Sequence, residues 1–130
     1  MKKEDYKITF RNLINTIDVT VLELKKAKKQ MQISADLKSQ VLKILNFINN
    51  SKTESYIEVL NDKGIYIEQE SLEKFHLNLN KSILPKADIE KAIKKLDKEK
   101  SFNKDEFNFI QSLLIKISIP IWNTTKQLNN

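Results

Sequence analysis

Apolar residues recur at helical spacing along most of this chain, and the pattern is strongest between residues 106 and 122. One line of apolar positions there follows the helical period, and a second apolar surface adjoins it: Phe107, Ile110, Leu114, Ile117 and Ile121, then Phe109, Leu113 and Trp122. A helix that is apolar over so much of its circumference must be covered on more than one side. The segment is therefore predicted to be the central helix of a bundle or half of an interface with another molecule.

Four further segments show amphipathic helical spacing. The pattern predicts a first helix from about Glu4 to Gln30 and three later helices that begin near Ser34, Ser71 and Pro85. Serine is a favoured capping residue at a helix N-terminus, and proline suits the first helical turn. The short connection after the first helix predicts that it packs antiparallel to the second.

The last helix has the clearest start signal. Asn103 is predicted to cap it, Glu106 to bond back to the cap, and Phe102 to contact Phe107 across the first turn. Pro120 is predicted to kink or end this helix. A single helical domain over residues 1–122, followed by a frayed polar tail over residues 123–130, is the expected domain organisation.

Residues 55–68 differ from the rest because β-branched and aromatic residues flank a short polar stretch. The four residues from Asn61 to Gly64 suit a turn closed by Gly64 in the left-handed conformation. Such a hairpin would direct four apolar side chains toward the helices: Ile57, Val59, Ile65 and Ile67. A mainly α fold is therefore predicted, a compact bundle of about five helices with a small β-hairpin inserted near residues 55–68.

A short helix is the alternative for the same residues. It would begin near Thr53, with Ser51 and Glu54 as a capping box and Gly64 just past its end. The hairpin is favoured because residues 65–67 have no apolar partners at helical spacing.

Composition excludes several classes of site. The chain has 130 residues, one Gly, two Pro and no Cys, so disulfides, thiol nucleophiles and Cys-based metal sites are excluded. The longest apolar stretch, residues 113–122, is interrupted by Lys116 and Pro120 and is too short to span a bilayer. We expect a cytoplasmic protein that does not enter a membrane.

The residues that perform most catalysis or bind most cofactors do not form recognisable motifs. His76 is the single histidine, and no Gly-rich phosphate loop occurs. The stretch from Asp97 superficially resembles a calcium-binding EF-hand loop, but Phe102 stands where that loop needs Gly and Asn108 where it needs Glu. We therefore predict no catalytic, cofactor-binding or metal-binding residues and no enzymatic activity.

The net charge is +6, and Arg11 is the one arginine among 23 basic residues. Lysines concentrate on the first and fourth predicted helices: Lys25, Lys26, Lys29, Lys91, Lys94, Lys95 and Lys98. These lysine faces suggest nucleic-acid binding as an alternative function. Interleaved acidic residues and the lack of an aromatic pair for base stacking weigh against it.

The leading hypothesis is a small helical interaction protein that binds a protein partner or a second copy of itself. Accessory, immunity and antitoxin-like proteins often have this general form, which is analogy rather than inference from residues. The apolar C-terminal helix is the expected interface, with four candidate anchors: Phe109, Leu113, Ile121 and Trp122.

Overall fold

The structure is a computed structural model that describes residues 10–59, 64–82, 86–98 and 101–128. Within these residues 79% are helical, and the elements follow in the order α1 (Phe10–Gln30), α2 (Ala35–Asn49), β1 (Tyr56–Ile57), β2 (Ile65–Tyr66), α3 (Gln69–Lys81), α4 (Lys86–Lys98) and α5 (Lys104–Leu128). The predicted fold class, five helices with an inserted hairpin, is confirmed.

Some predictions concern positions outside the described residues. They are the start of the first helix near Glu4, the hairpin turn at residues 61–63, Pro85 in the fourth helix and the last two residues of the tail.

Helix α5 is the centre of the bundle. It packs most extensively on α1, which runs antiparallel to it, and it also contacts α3 and α4. Its inner surfaces bury the apolar positions with the strongest periodicity: Phe107, Ile110, Leu114, Ile117 and Ile121. The prediction that this helix must be covered on more than one side is therefore confirmed. Helix α2 covers α1 and α4, and the hairpin lies against α2.

An aromatic cluster joins three helices at the core. The ring of Phe75 on α3 lies 5.4 Å from that of Phe10 on α1 and 6.4 Å from that of Phe47 on α2, measured between centroids. All three side chains are buried. These ring contacts connect α3 to the first two helices, from which it is distant in the sequence.

The helix starts agree with the sequence signals in two cases of three. Ser34 Oγ accepts a hydrogen bond from the Leu37 amide at 3.1 Å and so caps α2. At α5 the predicted reciprocal pair is present, with Asn103 N donating to Glu106 Oε1 at 3.0 Å and Glu106 N to Asn103 Oδ1 at 2.9 Å. Ser71 does not cap α3, because that helix already begins at Gln69.

The hairpin pairs Tyr56 with Tyr66 and Ile57 with Ile65 in an antiparallel register. The four apolar side chains expected to face the helices are buried, which confirms that part of the prediction.

Gly64 does not adopt the predicted positive φ. A Cβ at position 64 would overlap the Tyr56 ring, so a side chain there would require that ring to move. Desolvation and the neighbouring Glu58 carboxylate raise the pKa of Tyr56.

Pro120 neither ends α5 nor begins a frayed tail. The helix continues to Leu128, and Thr124 and Thr125 are buried. Thr124 Oγ1 donates to the Pro120 carbonyl oxygen at 2.8 Å, while Asn78 Nδ2 on α3 donates to Thr124 Oγ1 at 2.9 Å. Proline has no amide hydrogen, so the helix loses one backbone hydrogen bond at this position. The side-chain bonds nevertheless hold the last turns of the helix. Helix α5 therefore extends beyond residue 122, into the segment for which the sequence predicts a frayed polar tail.

Candidate functional site

The four predicted interface residues do not share one surface. Leu113 and Ile121 are buried in the core, so neither is accessible to a partner in this fold. Phe109 is partly buried on the side of α5 that faces α4, where Lys91 Nζ lies 5.7 Å from its ring centroid. Trp122 is 45% exposed and remains a candidate anchor. Apolar periodicity alone did not distinguish the buried stripes of α5 from the exposed one.

Two residues that the sequence analysis did not select join Trp122 on the outer face of α5. Ile115 and Ile119 are 51% and 54% exposed. Positions 115, 119 and 122 are separated by four and three residues, so their side chains lie on the same face of the helix. This spacing was the available sequence signal, but it competed with stronger apolar lines on the same helix.

Helix α1 extends this apolar face across a shallow groove. Leu22, which is 57% exposed, and Ile115 line the groove from opposite sides, with Asp18, Lys25 and Ser118 at its edges. We call Leu22, Ile115, Ile119 and Trp122 the apolar patch. It contains half of the eight large hydrophobic side chains that are exposed among the described residues. Scattered exposed apolar side chains are ordinary, whereas a grouped set is typical of binding surfaces.

A second groove continues along the same two helices toward the N-terminus of α5. Its lining is mostly basic: Lys25, Lys28, Lys29, Met31, Lys104 and Gln111. We call it the basic groove. It shares Lys25 with the apolar groove, so the two form one continuous surface. Lys28 Nζ donates to Asn108 Oδ1 at 2.6 Å, and this exposed bond connects α1 to α5 at the groove.

The predicted lysines therefore fall on opposite flanks of α5. Lys25 and Lys29 lie in the basic groove with Lys104, whereas Lys26 is exposed but does not line it. The lysines of α4 flank the other side of α5, where Lys91 lies over Phe109 and Lys95 Nζ lies 2.8 Å from Glu106 Oε2. Lys94 and Lys98 are exposed on that helix. The structure does not join the two predicted lysine faces into one patch.

Glu106 is predicted to be a stability determinant because it serves both the α5 cap and the ion pair with Lys95. We expect Glu106→Ala to lower the free energy of unfolding by about 1–2 kcal/mol, the usual range for a lost cap with a partly buried ion pair. Urea denaturation followed by circular dichroism measures the change. Asp105→Ala is the matched control, since Asp105 is exposed on the same turn. Equal losses in both variants would contradict the assigned role of Glu106.

The His76 side chain is hydrogen-bonded to the backbone of another segment. Because a carbonyl oxygen can only accept, the ring donates from Nε2 to the Ser51 carbonyl oxygen at 2.6 Å, connecting α3 to the segment after α2. A pocket beside it is lined by Asn49, Thr53, Asn80 and Lys86 among others.

Across the described parts of the chain, no three His, Asp or Glu side chains are grouped closely enough to hold a metal ion. Nor does any described helix have the length and apolar character needed to cross a bilayer.

Comparisons of the chain with protein-family models, with curated proteins and with solved structures found no match. The continuous surface formed by the apolar patch and the basic groove is therefore the basis for a functional inference.

Proposed function

We propose that this chain is a protein-binding module that acts through the apolar patch rather than by catalysis. The observation that carries the proposal is the grouping of four large apolar side chains, each about half exposed, across two helices that pack firmly on one another. Burying such side chains against a partner yields roughly 25 cal/mol per Å² of apolar surface. Trp122 at the end of the patch is the kind of residue that dominates binding energy at protein interfaces.

A segment of another protein suits this surface better than a second copy of the chain. The basic groove adjoins the patch with four lysines, and Lys126 lies one helical turn beyond Trp122. In a symmetric dimer each copy would bring the same lysines to the interface, where Asp18 is the one acidic residue that lines either groove within the described part of the chain. Like charges brought together at an interface oppose association.

Nucleic-acid binding is less well supported by the same geometry. Two of the four predicted α4 lysines already interact with Phe109 and Glu106, and the remaining basic surface adjoins aliphatic side chains that a phosphate backbone does not need. We retain the cytoplasm as the proposed location, since a chain without cysteine is compatible with a reducing compartment.

Selection of binders from a displayed random peptide library, with the purified protein as the target, tests the proposal. We expect most enriched peptides to lose at least tenfold in affinity for Trp122→Ala, because truncation removes an aromatic anchor of about 2 kcal/mol or more. The same variant should keep its fold, with a change of less than about 1.5 kcal/mol in the free energy of unfolding, since the side chain is half exposed.

Leu77→Ala is the control, because Leu77 is 62% exposed on α3 and lies outside the patch. Peptides that bind wild type and Trp122→Ala equally would overturn the proposal, as would unfolding of Trp122→Ala, which would make Trp122 a core residue. Sedimentation velocity of the wild type provides a further test. A dimer that Trp122→Ala dissociates would identify a second copy, not another protein, as the occupant.

A further inference from the structure

We infer that the partner segment is an amphipathic helix with an acidic end, whose apolar side covers the apolar patch and whose carboxylates enter the basic groove. This inference rests on the proposed function and adds the chemistry of the partner. It follows from the order of the two regions along α5, basic near Lys104 and apolar from Ile115 to Trp122.

Charge is the first argument for an acidic partner. Four lysine side chains line the basic groove, and no acidic side chain lines it among the residues that the structure describes. Lys28 is held by Asn108, while Lys25, Lys29 and Lys104 are exposed. A carboxylate that approaches three ammonium groups is attracted by all of them, and the attraction grows as the partner excludes water from the groove.

Gln111 supplies a second, independent observation. Its side chain lines the basic groove and is 9% exposed, and its Nε2 donates to no residue in the part of the chain that the structure describes. A buried amide N–H without an acceptor is unfavourable by about 1–3 kcal/mol. The Nε2 atom is itself buried, so a carboxylate seated in the groove would offer that acceptor once the amide rotates toward the groove surface.

Helical form follows from the shape of the surface. Lys104 and Trp122 are eighteen residues apart on one helix, a distance of about 27 Å. On α5 the lining of the two grooves extends from Lys104 to Ser118, between antiparallel helices. A third helix packs into such a channel by the usual interdigitation of side chains, and Ile119 and Trp122 continue the same face of α5 beyond it. Acidic residues stabilise a helix at its N-terminus, so the acidic end of the partner would be its first turns.

Three synthetic 18-residue peptides without tryptophan test the inference. They share one leucine face and differ in the polar residues of their first two turns, which are glutamate, glutamine or lysine. Trp122 is the single tryptophan of the protein and lies in the patch, so its fluorescence reports binding directly. We expect the glutamate peptide to bind at least tenfold more tightly than the glutamine peptide and to gain helicity on binding, as measured by circular dichroism. Its affinity should fall as the salt concentration rises from about 50 to about 300 mM.

Charge reversal places the interaction on the structure. Lys29→Glu/Lys104→Glu should remove the preference for the glutamate peptide, whereas Lys94→Glu/Lys98→Glu should retain it. Both double variants lower the net charge by the same amount, but the second pair lies on α4 beyond the opposite flank of α5. Lys28 is left unchanged because it contributes to the contact between α1 and α5.

The outcomes separate this inference from the proposed function. Equal binding of the glutamate and glutamine peptides, or equal effects of the two double variants, would overturn the acidic partner while leaving a protein-binding patch. If none of the three peptides binds but Trp122-dependent binders emerge from the random library, the acidic partner would likewise be overturned and the protein-binding patch retained. An 18-nucleotide single strand that binds more tightly than the glutamate peptide, and that Lys29→Glu/Lys104→Glu releases, would overturn it in favour of nucleic acid.

Discussion

Phe75→Ala is expected to lower the free energy of unfolding by about 3–5 kcal/mol, a large part of the 5–15 kcal/mol typical of a domain. Phe75 is fully buried and contacts the rings of both Phe10 and Phe47, so its truncation leaves a cavity where three helices meet. The surrounding helices can collapse into that space only in part, and the lost contacts are not regained. Chemical denaturation by urea or guanidinium, with helicity as the signal, measures the loss.

Leu77→Ala provides the comparison on the same helix. Leu77 is largely exposed, so its truncation should change the free energy of unfolding by no more than about 0.5 kcal/mol. A loss at Phe75 as small as that at Leu77 would contradict the placement of Phe75 between α1 and α2.

Ile121→Ala and Ile119→Ala together provide the sharpest test of how α5 is oriented. The two isoleucines are two residues apart on one helix, but Ile121 is fully buried and Ile119 is 54% exposed. We expect Ile121→Ala to lower the free energy of unfolding by about 2–5 kcal/mol and Ile119→Ala by about 0.5 kcal/mol or less. The same substitution at both positions cancels the change in helix propensity, so the difference reports burial.

The binding assays should show the reverse order. Ile119→Ala is expected to weaken the peptides that bind the apolar patch, whereas Ile121→Ala should leave their affinity unchanged in solutions where the variant remains folded. Similar losses of stability at the two positions would mean that the exposed face assigned to α5 is covered by other parts of the chain, and the apolar patch would have to be abandoned.

Local signals predicted much of the fold because they act within a few residues. The capping pair of Asn103 and Glu106 forms within one helical turn, and Ser34 caps α2 in the same way. The hairpin was predicted from β-branched and aromatic flanks, and the four aliphatic side chains expected to face the helices are buried. Ser71 shows the limit of such signals, since a serine can also be accommodated inside the first turn of a helix that starts earlier.

The candidate site was only partly predictable. Trp122 and the α1 lysines were selected from the sequence, but Leu22, Ile115 and Ile119 were not, because their surface exists only when α1 lies beside α5. Leu113 and Ile121 were selected with Trp122 and proved to be core residues. On a helix with apolar residues on several sides, periodicity indicates which positions can be buried but does not indicate how many sides have a neighbour.

The sequence by itself determined the mainly helical class, most of the element order, the caps of α2 and α5 and the apolar sides of the helices, because helical periodicity and capping are local properties of the chain. Tertiary structure alone decided that α5 continues through Pro120, where hydrogen bonds among Asn78, Thr124 and the Pro120 carbonyl hold its last turns. It also decided that the lysines of α1 meet Lys104, and that one apolar stripe of α5 faces outward. These features depend on contacts between residues far apart in the chain, and no pattern within a single helix specifies them.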